Sequence, residues 1–335
     1  MKHARGSYPV EFGSWAGLAS AMPSKAAVLV DSNVLAHWGP KLPETAVRIV
    51  IPSGEASKSL EMYAHVAEEL ARHRVTRDTA LVGIGGGVVG DLAGFLAATY
   101  MRGVPFVQVP TTLLAMVDSS VGGKVGIDLA GGKNLLGAFY PPVRVFAPME
   151  SLSTLPERHL RNGMAEVWKY GYVLDADFLV HLRSSEARDW EALASRCVRI
   201  KADVVAKDEF DRDGLRAVLN FGHTVGHALE TLTGYGPLLH GEAIAVGMVV
   251  EARLGTALGM TPPGTAEKIE DDLRGEGLPT SHDALSQADA LLELMAVDKK
   301  VEGKGLAFSL LARMGACKLV TGVPAEAVRD ALRVR

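Results

Sequence analysis

The chain reads as an α/β N-terminal domain with a mainly parallel sheet, followed by a mainly α-helical C-terminal domain. Two observations predict this order. Short β-branched runs alternate with helical spacing up to about residue 150, and beyond it strand signals nearly vanish. A length of 335 residues suits about two domains, expected here at 1–150 and 151–335. Four runs look like buried strands: "AAVLVDSN" (26–33), "VRIVIPSG" (47–54), "ALVGIG" (80–85) and "FVQVP" (106–110). Between them, "SLEMYAHVAEELARHRV" (59–75) and "GDLAGFLAATYMRG" (90–103) have helical spacing. After "STLPERH", Ala/Leu/Glu/Arg segments such as 176–210 dominate, and one late hairpin is expected around Met314-Gly315. A ligand cleft between the two halves is expected.

Composition excludes several function classes. The net charge of −4 provides no basic field for nucleic acid, so anions must be held by local basic residues. Two cysteines make no disulfide framework and fit buried thiols in a reducing, cytoplasmic compartment. The N-terminal "MKHARGSYPVEFGSW" lacks the apolar core of a signal peptide, and glycines break the longest apolar runs, so no membrane partner is expected.

In "GIGGGVVGD" (83–91), Gly85, Gly87 and Gly90 fit G-x-G-x-x-G between a strand and a helix. Missing side chains there let a pyrophosphate approach backbone N–H groups, although close helix–sheet packing explains the same glycines. Asp31 and Asn33 end the first strand, where ribose hydroxyls are usually met. Glu55 and Lys58 follow in "SGEASKS", where they equally fit a helix cap. The stretch 108–142 offers Thr111, Thr112, Asp118, Lys124, Lys133 and Asn134 among glycines, a setting suited to phosphate or carboxylate. Further on, "LNFGHTVGHALETLTGYGPLLHGEA" (219–243) holds three histidines. Spacing alone pairs His223 with His227 on one helix face as metal ligands.

These motifs carry a resemblance. "GGGVVGDLAGFLAATYMRG", "QVPTTLLAMVDSSVGGKVGID", "GKNLLGAFYPP", "TLPERHLRNGMAEVWKYG", "GLRAVLNFGHTVGHALE", "HGEAIAVGM" and "DKK" occur in the order found in the 3-dehydroquinate synthases, a family of sugar phosphate cyclases. The match covers about residues 28 to 320. It implies NAD and one divalent ion (zinc or cobalt) as cofactors, and DAHP (3-deoxy-D-arabino-heptulosonate 7-phosphate) as the substrate of a shikimate-pathway lyase. The implied reaction is transient oxidation by NAD, β-elimination of phosphate, re-reduction and intramolecular aldol closure. A homodimer is also implied, with Arg102 reaching across its interface.

The resemblance reassigns the histidines. Glu166, His223 and His240 match its metal ligands, and His227 matches a residue facing the substrate phosphate. Arg216 and Lys201 match the grip on the substrate carboxylate. Lys124, Asn134, Asn220, His227 and Lys299 match the phosphate and hydroxyl shell, with either Lys299 or Lys300 pointing inward. Asp118 and Lys169 match groups at the reacting carbons. The NAD contacts expected are Asp31, Asn33, Glu55, Lys58, Gly86, Gly87, Val88, Asp91, Thr111, Thr112, Lys124, Lys133 and Asn134. Two positions depart from the family pattern: Pro148 stands where an aspartate is common, and Trp168 replaces a small aliphatic residue beside Glu166.

Overall fold

The computed structural model describes residues 1–3, 6–184, 188–234, 236–298 and 305–333. They form two compact units, Met1–Pro156 with Asp189–Phe210, and Glu157–Arg188 with Asp211–Arg335.

The first unit begins with a small antiparallel pair, β1 (Lys2–His3) and β2 (Gly6–Ser7), then β3 (Val10–Gly13) and the short α1 (Leu18–Ala21). The alternating part follows as β4 (Ala26–Asp31), α2 (Ser32–Trp38), β5 (Val47–Ile51), α3 (Leu60–Arg72), β6 (Ala80–Gly85), α4 (Gly87–Thr99) and β7 (Phe106–Pro110). A hairpin of β8 (Lys124–Leu129) and β9 (Gly132–Phe139) precedes β10 (Arg144–Pro148). The sheet runs β3-β10-β7-β6-β4-β5, and every pairing in it is parallel.

Period-two alternation sends Ala27 and Leu29 to the face covered by α3 and α4, and Val28 and Val30 to the other. Trp15, Leu18 and Phe146 fill that second face, so the central strands are buried on both sides, as a parallel sheet requires. The chain leaves β4 toward β5, then returns to the opposite side of β4 through β6. The carboxyl ends of β4 and β6 therefore flank a topological switch point, the usual ligand crevice of such sheets.

The four strand runs appear where the sequence places them, as does the late hairpin. The glycine-rich stretch 108–142 carries regular structure for which no element was expected beyond the run at 106–110. It contains a π-helical turn, Ala115–Ser119, and the β8/β9 hairpin.

In the second unit, α5 (Glu157–Leu174) and α6 (Ala176–Ser184) come first. The next helix, α7 (Trp190–Val205), belongs to the first unit and packs on the π-helical turn there. The second unit resumes with α8 (His223–Leu232), α9 (His240–Ala257), α10 (Thr265–Gly275), α11 (Ala288–Asp298), β11 (Leu306–Arg313), β12 (Ala316–Val323) and α12 (Ala325–Arg333). Val225, Leu229, Val246, Val250, Leu291, Phe308 and Val328 form its core.

Helices α8 and α9 approach at backbone contact. A Cβ on Gly247 would lie 2.0 Å from the Gly222 carbonyl oxygen, and one on Gly226 would lie 3.0 Å from Ile244 Cα. Gly247→Ala is therefore expected to destabilise the protein by about 1–3 kcal/mol through overpacking. Urea unfolding checks this: the midpoint should fall at constant slope, and an unchanged midpoint would mean the helices separate without cost.

Candidate active site

At the switch point, Asp31 ends β4 and caps α2. Its Oδ1 accepts from the Asn33 N–H at 2.7 Å and from Ser53 Oγ at 2.6 Å. Gly86 precedes α4 without any side-chain cap, which leaves first-turn N–H groups for a ligand. The other glycines serve packing. A Cβ on Gly85 would lie 2.8 Å from Val89 Cβ, and one on Gly90 would lie 2.0 Å from Gln108 Nε2. A Cβ on Gly87 would meet Ser119 Oγ at 3.1 Å. Close helix–sheet packing thus accounts for Gly85, Gly87 and Gly90 of the pattern.

Beside α4 lies a polar cluster. Buried Lys58 binds Asp91 Oδ2 at 2.6 Å and also donates to Asn134 Oδ1. Burial pushes the Lys58 ammonium down, but Asp91 more than reverses this and leaves its pKa raised. Glu55 meets Lys133 at 3.6 Å, and Asp128 accepts from the Asn134 N–H at 2.8 Å. Thr112 Oγ1 accepts the Ala115 N–H at 3.2 Å, while the Thr111 N–H donates to the Gly85 carbonyl at 2.9 Å. Val88 lies in the first turn of α4. Lys124 opens β8 with its Nζ 5.9 Å from the Phe139 ring centroid. Lys201 on α7 meets Asp118 Oδ1 and donates to the Asp118 carbonyl, both at 2.8 Å. Exposed Arg102 sits in the left-handed region at φ 66°, next to Met101 at φ 50°.

The second unit brings Glu166, His223 and His240 together. One ligand atom from each lies within 4.8 Å of the others. Glu166 is fully buried on α5, with Oε1 3.3 Å from His223 Nε2 and 3.4 Å from His240 Nε2. Its Oε2 touches the buried Lys169 ammonium. Neither carboxylate oxygen receives a well-aligned hydrogen bond. Oε2 has the ammonium, whereas Oε1 faces two imidazoles with no aligned donor, a donor set suited to a divalent ion. Each histidine is held by its other nitrogen: His223 Nδ1 lies 3.2 Å from the Phe221 carbonyl, and His240 Nδ1 lies 3.2 Å from Glu230 Oε2. These contacts leave both Nε2 atoms for the ion.

Charge follows from this arrangement. Burial pushes Glu166 up, but Lys169 and the two imidazoles outweigh it and hold the carboxyl well below its usual range. Burial, aided by the Lys169 charge, pushes His223 down to about 4. Burial alone would lower His240 too, yet Glu230 and Glu166 push it up to about 10.

A second group, His227, Glu230 and His240, also has ligand atoms within 4.8 Å. It shares His240, and its His227 is exposed. The His223 and His227 rings lie 5.3 Å apart at 80°.

Arg216 is buried in the 3₁₀ turn Leu215–Asn220, which Asn220 closes just before α8. Ser309 Oγ on β11 donates to the Ala217 carbonyl of that turn at 2.5 Å. Lys299 and Lys300 lie outside the described residues. Trp168 stacks on Tyr172, with ring centroids 5.9 Å apart, and donates to Glu276 at 2.9 Å. Pro148 ends β10, and its carbonyl accepts Ser151 Oγ at 2.7 Å.

Sequence reasoning missed Glu230 and Glu251. Glu230 lies seven residues after His223 on one helix face, a spacing that was available. Glu251 stands as a lone carboxylate in the apolar run "AIAVGMVVEARLG".

Comparison with known proteins fits this geometry. The family model described as 3-dehydroquinate synthase N-terminal matches residues 48–162, and the one described as 3-dehydroquinate synthase C-terminal matches 163–301. A 3-dehydroquinate synthase of Acidithiobacillus ferrooxidans is 44% identical over 347 residues, covering 98% of this chain and 95% of that protein. One from Xylella fastidiosa (strain M23) is 45% identical over 328 residues, covering 92% and 88%.

Among solved structures, 2-epi-5-epi-valiolone synthase from Streptomyces hygroscopicus, with NAD+ and Zn2+ bound, has a TM-score of 0.89 at 26% identity, covering 99% of this chain and 97% of that one. A 2-deoxy-scyllo-inosose synthase complexed with carbaglucose-6-phosphate, NAD+ and Co2+ has a TM-score of 0.84 at 26% identity, covering 97% and 96%. A probable glycerol dehydrogenase from Sinorhizobium meliloti, 16% identical with a TM-score of 0.62 and covering 97% and 96%, shares the fold alone. The fold is that of the sugar phosphate cyclases. The chain belongs to the 3-dehydroquinate synthase family.

Proposed function

We propose that this chain converts DAHP to 3-dehydroquinate and inorganic phosphate, using NAD without net consumption and one divalent ion, zinc or cobalt. The observation that carries this is the buried Glu166 carboxylate, whose Oε1 lies 3.3 and 3.4 Å from two imidazole Nε2 atoms without an aligned hydrogen bond, in a chain of this family. When bound, the nicotinamide accepts and returns a hydride, and the ion is a Lewis acid toward vicinal hydroxyls.

The chain's own groups do the rest. Glu166, His223 and His240 hold the ion and leave positions open for substrate oxygens. Arg216, with Lys201, grips the substrate carboxylate, a task for a guanidinium fork. Lys124, Asn134, Asn220, His227 and Lys299 bind the phosphate and keep it placed as it leaves. Asp118 and Lys169 stand at the reacting carbons. Asp31, Asn33, Glu55, Lys58, Gly86, Gly87, Val88, Asp91, Thr111, Thr112, Lys133 and Asn134 serve the dinucleotide, with the start of α4 facing its pyrophosphate. Residues 1–150 are the NAD-binding domain in this reading, and 151–335 the metal- and substrate-binding domain.

Two copies associate, with Arg102 serving the partner's site. The cytoplasm is the expected compartment. The two cysteines agree with it.

The test is phosphate release from DAHP with and without chelator, followed beside the nicotinamide absorbance. Catalytic NAD should suffice, with no net absorbance change during turnover. Stoichiometric accumulation of NADH would mark a simple dehydrogenase and overturn the reading.

A further inference from the structure

Helix α8 starts without a cap of its own. Its N-cap is Gly222 at φ 82°, so no side-chain oxygen is available to accept the orphan N–H groups of the first turn. A serine or aspartate there is excluded. Any Cβ would lie 2.7 Å from the Ile244 carbonyl oxygen and 2.5 Å from Met248 Cγ, at a backbone conformation that side chains resist.

The acceptor comes from the neighbouring helix. Glu251 on α9 is fully buried, and its Oε2 accepts the Gly222 N–H at 2.7 Å while its Oε1 accepts the Val225 N–H at 3.2 Å. His223 lies between those two anchored positions.

We infer that Glu251 is a positioning residue of the metal centre, setting His223 against Glu166 by clamping the first turn of α8. The inference rests on the proposed ligand role of His223. One helix then governs two ligands. α9 carries His240 at its first position, and eleven residues on, about 16 Å along the axis, it carries the clamp for His223. The clamp needs two acceptor oxygens. A carboxamide offers one, and turns an N–H₂ toward a backbone N–H at the other position. First-turn drift of a few tenths of an ångström matters, because ligand distances tolerate only about 0.2 Å.

The test uses the full chain, stripped of metal and titrated with cobalt(II) against a chromophoric chelator. Urea unfolding of the metal-free proteins runs in parallel. Glu251→Gln should bind cobalt about ten- to a hundredfold more weakly, the cost typical of losing a group behind a ligand. Its visible cobalt bands should also shift. Glu251→Asp, which keeps both acceptors one methylene further back, should fall between.

A purely structural cap would lower the unfolding midpoint and leave both affinity and bands at their wild-type values; that result overturns the inference. If Glu251→Gln does not fold, the same reading is taken on Glu251→Asp, where wild-type affinity and bands overturn it equally. Wild-type protein that fails to take up about one ion per chain would sink the metal reading itself, a separate failure.

Discussion

His240→Ala is expected to remove both the ion and turnover. Of the three proposed ligands, His240 is the one whose ring is fixed from behind by a buried carboxylate, Glu230, at 3.2 Å. Its loss takes away an Nε2 ligand and leaves Glu230 without the imidazole it faces. Removing a group behind a ligand costs about ten- to a hundredfold in metal affinity, and removing the ligand itself should cost more. Metal analysis after gel filtration, beside phosphate release from DAHP, gives the answer. Full occupancy in the variant would overturn the assignment.

His227→Ala should behave in the opposite way toward metal while losing turnover as well. His227 is exposed and one turn from His223, so spacing alone would make it a ligand. If it serves the phosphate, the variant keeps its ion. It should then bind a carbocyclic phosphonate inhibitor about ten- to a hundredfold more weakly, since a hydrogen bond to a charged group is worth about 1.5–3 kcal/mol. The phosphate-free carbocycle should bind as it does to wild type. An apo variant would hand the metal to His227 instead, and the group of His227, Glu230 and His240 would then be the ligand set.

How far the sequence could be read depended on range. The strands β4, β6 and β7 were legible because a strand buried on both faces leaves a continuous apolar run, and the edge strand β5 because Val47, Ile49 and Ile51 alternate with exposed Arg48 and Val50. The β8/β9 hairpin was not. Its strands carry Lys124, Asp128, Lys133, Asn134 and exposed Leu135 and Leu136, so no apolar face alternates cleanly. The π-helical turn at 115–119 has no compositional mark at all.

At the site, periodicity sees one helix at a time. It finds His223 and His227 on α8 but has no access to Glu166 on α5 or His240 on α9, whose approach is tertiary. Those two came from the resemblance. Glu251 stayed hidden for another reason: its partners are backbone N–H groups, which no side-chain pattern records.

The interleaving of the two units bears on how the chain is made. The first unit is unfinished when residue 156 leaves the ribosome, because α7 belongs to it and is encoded after α5 and α6. Until Lys201 emerges, Asp118 lacks that ammonium. The second unit waits in turn, with Glu166 and Lys169 translated well before His223 and His240. Domains usually fold as contiguous segments in order of synthesis. Here a cut after residue 156 removes α7 from the first unit, and a cut after 210 parts α5 from the rest of the second. Expression of either unit as a contiguous fragment therefore leaves apolar helix faces uncovered, and the natural unit of biogenesis is the whole chain.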